Sequence, residues 1–100
     1  MNSLDYAKER ILSCISTGKS NAIHIAEIAD LTGYTSTEIK TVIQLLRRDG
    51  YAICSTTYHG YWIANKYEDV ETTIRLLQAN KDTLQDTILA LSETCNKMKR

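Results

Sequence analysis

The stretch TSTEIKTVIQLLRRDG, residues 35–50, constrains the fold of this chain more than any other. Thr35 stands three residues before Glu38, the spacing of a capping box, in which the threonine hydroxyl accepts from the glutamate amide and the carboxylate accepts from the threonine amide. Ile39, Val42, Ile43 and Leu46 then recur at three- and four-residue steps. This lines one helical face with apolar side chains and leaves Ser36, Thr37, Lys40, Thr41 and Gln44 on the other. Arg47 and Arg48 fall in the last turn, where cations suit the carbonyl end of the helix dipole, and Gly50 supplies the left-handed residue that ends it. The outward face is short, polar and hydrogen-bonding. It suits the floor of a DNA major groove, with an ordinary solvated helix face as the alternative.

Upstream, Leu4, Ala7, Ile11, Leu12, Cys14 and Ile15 have helical spacing and predict a helix over residues 4–17, stopped at Thr17-Gly18. Lys19-Ser20-Asn21 reads as a polar turn and Ala22-Ile23 as a very short strand. Ile25, Ile28, Ala29 and Leu31 predict a second helix over 25–32. His24 precedes it as a capping or packing residue, since no partner stands near it at metal-ligand spacing. Gly33-Tyr34-Thr35 then turns into the capping box, and two helices joined this way form the helix-turn-helix pattern, whose second helix enters the groove.

After Gly50 the period changes to two. YAICS and GYWIA, residues 51–55 and 60–64, are rich in aromatic and β-branched residues and predict a hairpin with a tip at Thr57, Tyr58, His59 and Gly60. Three helices followed by a hairpin make a winged helix. The tip has no lysine or arginine with which to grip phosphates.

Taken together, IAEIADLTGYTSTEIKTVIQLLRRDGYAI and HGYWIA resemble the winged-helix module at the N-terminus of the biotin repressor and in small regulators of bacteria and their phages. The matching positions are Leu46-Arg47-Arg48-Asp49-Gly50 at the helix end and Gly60-Tyr61 at the start of the second strand, and the resemblance covers residues 4–64. It implies that Ser36, Thr37, Lys40, Thr41 and Gln44 contact DNA and that Tyr58 and His59 lie at the wing. The shortage of wing cations departs from the family's pattern, and the biotin chemistry of the larger repressor is not implied.

From Glu68 onward the sequence reads as a heptad repeat. Val70, Leu77, Leu84, Leu91 and Met98 occupy d, and Ile74, Lys81, Ile88 and Cys95 occupy a. A continuous helix of some 30 residues spans roughly 45 Å, more than the preceding module can cover, so its seam calls for a partner, most simply the same helix of a second chain. β-branched residues at a with leucine at d favour a parallel pair, while the sparse charges at e and g leave antiparallel pairing open. Leu76 and Leu89 lie off the seam, which also leaves open a fold-back onto the first helix or a four-helix arrangement.

Composition narrows the function classes. With 12 basic and 12 acidic residues the chain is formally neutral, so nothing in its net charge announces a polyanionic partner. No apolar run is long enough for a membrane span, and MNSLDYAKER does not read as a signal peptide, so a cytoplasmic protein is expected. Cys14, Cys54 and Cys95 match neither a disulfide framework nor a paired metal motif, and buried or half-buried free thiols are expected. No nucleophile elbow, phosphate loop, HExxH or CxxC is present, so neither an enzyme nor a cofactor is expected.

The expected architecture is therefore mainly α with a small β-hairpin: a winged helix-turn-helix over residues 1–65, followed by a long coiled-coil-like helix over 66–100. The expected function is that of a dimeric, sequence-specific protein that binds double-stranded DNA, a transcriptional regulator or a phage-type control or replication protein. In that role Lys40, Arg47 and Arg48 would hold phosphates, while Ser36, Thr37, Thr41 and Gln44 would read base edges. The alternative is a winged-helix module that binds a protein, for instance a phage factor that seizes a host protein. A purely structural oligomer is a third class.

Overall fold

The computed structural model describes residues 3–79 and 85–99. Helix α1 (Ser3–Cys14) leads through a single 3-10 turn (Lys19–Asn21) to α2 (Ile25–Thr32) and α3 (Ser36–Arg48). The hairpin strands β1 (Ile53–Thr56) and β2 (Gly60–Ile63) come next, and α4 (Tyr67–Ala79) and α5 (Gln85–Met98) follow. The chain is thus mainly helical with one small antiparallel hairpin, as expected.

The first three helices bury the faces that their periodicity marks. Ile11 and Ile15 from the α1 segment, Ile28 from α2, and Ile39, Val42, Ile43 and Leu46 from α3 converge with Ile53 of β1 in one core. The first helix stops at Cys14, short of the expected residue 17. Beyond it the backbone is taken up by the hairpin: Ile63 N donates to Ser16 O at 2.8 Å, and Gly18 N donates to Ile63 O at 2.8 Å. Ile23 pairs with Tyr61 through bonds of 2.9 and 2.7 Å, so the very short strand expected at Ala22-Ile23 is a single bridge. Gly60 makes this close approach possible. Its φ is +93°, and a Cβ there would collide with the carbonyl of Ile23.

The hairpin is the wall between two cores. Successive strand residues point to opposite faces, so Ile53 enters the core of α1 to α3, while Cys54 enters a second one with Trp62, Val70, Leu91 and Cys95. Ile74, Leu77 and Met98 pack around that second core. Trp62 also ties it to α4 by donating from Nε1 to Asp69 Oδ2 at 3.2 Å. The second core therefore runs across the expected boundary at residues 65 and 66.

The tail corrects the expectation of one long helix. Helices α4 and α5 are antiparallel neighbours: Cys95 Sγ lies 3.7 Å from Tyr67 O, and Lys99 Nζ pairs with Glu71 Oε1 at 3.3 Å. The longest dimension is 35 Å, too short for a continuous helix of the expected length. The apolar face that Cys54 and Trp62 present needs a cover, and a tail tethered to the hairpin supplies it at high effective concentration, without the entropic cost of recruiting a second chain. Val70, Ile74, Leu77, Ile88, Leu91, Cys95 and Met98, expected to form an intermolecular seam, find their cover within one chain. Lys81 and Leu84, from the same seam, lie outside the described residues.

Candidate nucleic-acid interface

The capping box at the start of α3 forms in full. Thr35 Oγ1 accepts from Glu38 N at 3.2 Å, and Glu38 Oε1 accepts from Thr35 N at 2.9 Å. The hydrogen bonds from the Thr35 backbone and side chain hold the Glu38 carboxyl below its usual pKa. Helix α2 ends on Gly33, whose N–H reaches Ala29 O at 2.8 Å. The turn between α2 and α3 is therefore three residues long and fixed at both ends. His24 takes the N-cap position of α2 but makes no side-chain capping bond.

With Ile39, Val42, Ile43 and Leu46 in the core, the other side of α3 faces out. Ser36, Thr37, Lys40 and Thr41 are exposed, and Gln44 is half-buried. Thr41 Oγ1 donates to Thr37 O at 3.0 Å, which fixes its rotamer. Lys40 shares a cleft of about 500 Å³ with Thr56 and Thr57 of the hairpin, closed on a further side by Leu76 and Leu77 of α4. The part played by α4 here was hidden in the sequence, because it depends on the tail folding back. Helix α5 lies against α3, and Thr94 Oγ1 reaches Gly50 O at 3.5 Å.

One expected contact is withdrawn from the surface and a second is partly covered. Arg47 is 4% exposed. Its Nε donates to Ile53 O at 2.8 Å and its Nη2 to Ser55 Oγ at 3.1 Å, so it joins α3 to β1 and does not reach outward for a phosphate. Burial lowers its pKa, the Tyr61 and Cys54 side chains oppose that shift, and the guanidinium remains a cation. The helical spacing carried a signal for this: Arg47 lies four residues after Ile43, at the edge of the buried face. Arg48, one step further round, is exposed.

His59 is the second. It is half-buried, its Nδ1 lies 2.9 Å from Thr56 Oγ1, and its backbone N–H donates to the same oxygen at 2.9 Å. It thus braces the hairpin turn from inside. Tyr58, 83% exposed, is the residue the tip presents, with its ring 5.0 Å from that of His59.

No group of three or more His, Cys, Asp or Glu capable of holding a metal occurs among the described residues. Cys54 and Cys95 are buried free thiols, and burial pushes Cys54 up to about 11, where it stays protonated at neutral pH. No described helix is long and apolar enough to cross a membrane. Comparison with protein-family models, curated proteins and solved structures gives no match.

Proposed function

We propose that this protein is a winged-helix DNA-binding protein that reads a duplex site in the control of transcription or replication. The observation that carries this reading is the placement of Ser36, Thr37, Lys40 and Thr41. All four are exposed on the first two turns of a helix whose opposite face is locked in the core, and an exposed tyrosine stands at the tip of the neighbouring hairpin.

In this reading α3 enters the major groove by its N-terminal half. The hydroxyls and methyls of Ser36, Thr37 and Thr41 meet base edges, with the threonine methyls suited to thymine, and Gln44 suits adenine at the margin of the contact. Lys40 meets a phosphate, and Arg48 serves a second one further along α3. Arg47 and His59 act from behind the surface. The described residues of the seam that suggested a twin are covered within the chain, so the single module is the binding unit of this proposal.

The test is selection from a pool of random duplexes. The proposal expects the retained fragments to share a short motif and retention to fall steeply with salt. Retention no better than that of a protein without DNA affinity, at low salt, would sink it.

One observation favours a protein partner as the second reading. Leu4 and Tyr6, 43% and 51% exposed, flank a cleft that also takes in Tyr34, Thr37, Thr41 and Val42. If that cleft is the working surface, Leu4→Ala and Tyr6→Ala abolish partner capture while leaving any DNA retention unchanged.

A further inference from the structure

We propose that Arg47 of α3 and Thr73 of α4 are positioning residues that clamp strand β1 from its two sides and so set where the hairpin tip stands relative to α3.

The clamp meets at Ser55. From one side the buried Arg47 guanidinium donates to Ile53 O at 2.8 Å and to Ser55 Oγ at 3.1 Å. From the other, Thr73, 1% exposed, accepts from Ser55 N at 3.2 Å. The thiol of Cys54, between Ile53 and Ser55 in the chain, is buried and donates to Ala52 O at 3.8 Å. Two residues of a four-residue strand, Ile53 and Ser55, are therefore gripped by side chains from two helices.

A two-stranded hairpin has little stability of its own in water and takes its position from what it packs on. This hairpin is held by apolar contact on both faces, and such contact is non-directional. Hydrogen bonds are directional, and those made by a charged guanidinium are stronger than neutral ones, so Arg47 and Thr73 fix the register and tilt that packing alone leaves loose. Ser55 is the strand residue next to Thr56, which organises the turn through His59, so displacement at Ser55 is carried directly to Thr57 and Tyr58. Through Thr73, the C-terminal helical pair takes part in placing the tip.

The DNA arm of the test rests on the function proposed above, and the other arm does not. Native-state amide hydrogen exchange is measured on the full chain for wild type, Arg47→Lys, Ser55→Ala and Thr73→Val. The clamp predicts that the hairpin amides of Thr56, His59 and Tyr61 exchange about tenfold faster or more in each variant, while those of Ile28 and Ile43 in the helical core keep their wild-type rates. Equal acceleration in hairpin and helices, or none in the hairpin, overturns it. Ser55→Ala and Thr73→Val change few atoms and keep the test valid if Arg47→Lys does not fold.

On a selected duplex, Arg47→Lys is expected to weaken binding with the slope of log K against log salt unchanged, as for a residue that positions the tip. Any loss of affinity in Arg47→Ala that comes with a slope smaller by about one would mark a direct phosphate contact and contradict the assignment. Failure of the wild type to bind any duplex removes the proposed function, and the exchange rates then decide the clamp by themselves.

Discussion

Ile53 and Cys54 are adjacent in the chain and lie in different hydrophobic cores, each fully buried. One core belongs to the first three helices and the other to the C-terminal pair, so the hairpin is a wall of both and neither core is closed without it. Stability should therefore be lost as one unit wherever the second core is damaged.

Leu91 tests this. It is completely buried in the second core, and Leu91→Ala removes its side chain from a packed site, at a cost of roughly 2–5 kcal/mol. Urea unfolding followed by Trp62 fluorescence and by helical circular dichroism should shift to lower denaturant as a single coincident transition. If the variant keeps its midpoint and changes only its mass in sedimentation, Leu91 belongs to an intermolecular seam after all.

How far the sequence disclosed this arrangement differs from element to element. Helix α3 was readable to its first residue, because Thr35 and Glu38 report on each other within one turn and need nothing distant. Helix α2 and the hairpin were readable from period and glycine placement for the same reason. The return of α5 onto α4 was not readable, because Val70, Leu91 and Cys95 satisfy a heptad in a straight helix as well as in two antiparallel ones, and only the demand of Cys54 and Trp62 for cover separates the two. Arg47 was misplaced for a related reason, and His59 lies at the hairpin tip as expected but half-buried. Residue type marks a basic or aromatic side chain for the surface, whereas hydrogen bonds to Ile53, Ser55 and Thr56 draw these two inward.

Gly60 should tolerate no side chain. Gly60→Ala meets both a positive φ and the carbonyl of Ile23, whereas Gly33→Ala meets a positive φ in open space. The second substitution should cost about 1 kcal/mol and the first distinctly more. Thermal unfolding of the two variants side by side gives the order, and equal melting temperatures would show that the bridge between Ile23 and Tyr61 yields freely.

The capping box sets a pH dependence. Glu38 has its folded-state pKa below the ordinary 4.5, so the unfolded chain binds a proton more readily than the folded one. Its stabilising contribution is present above that ordinary value and is lost as pH falls through the depressed one. Thr35→Ala removes the threonine half of the cap, costing about 1 kcal/mol near neutral pH, whereas Glu38→Gln removes the titrating carboxylate and should flatten the acid slope of stability. An unchanged slope below pH 4.5 would show that the carboxylate bond contributes nothing.

Thiol chemistry should distinguish the three cysteines. Cys54 is fully buried with its thiol pushed up to about 11, burial also raises the Cys95 thiol, and Cys14 is only half-buried. Native protein at pH 8 should react with a thiol reagent at Cys14 first, with Cys54 silent until the chain unfolds. Peptide mapping of the labelled protein reads this directly, and early label on Cys54 would mean that the second core opens on its own.

The central claim is that the N-terminal half of α3 lies against DNA, and Lys40 is its exposed cation. The most direct measurement is the salt dependence of duplex binding by wild type and Lys40→Ala on a selected site. The claim predicts weaker binding by the variant and a slope of log K against log salt smaller by about one. Superimposable isotherms across the salt series would contradict it.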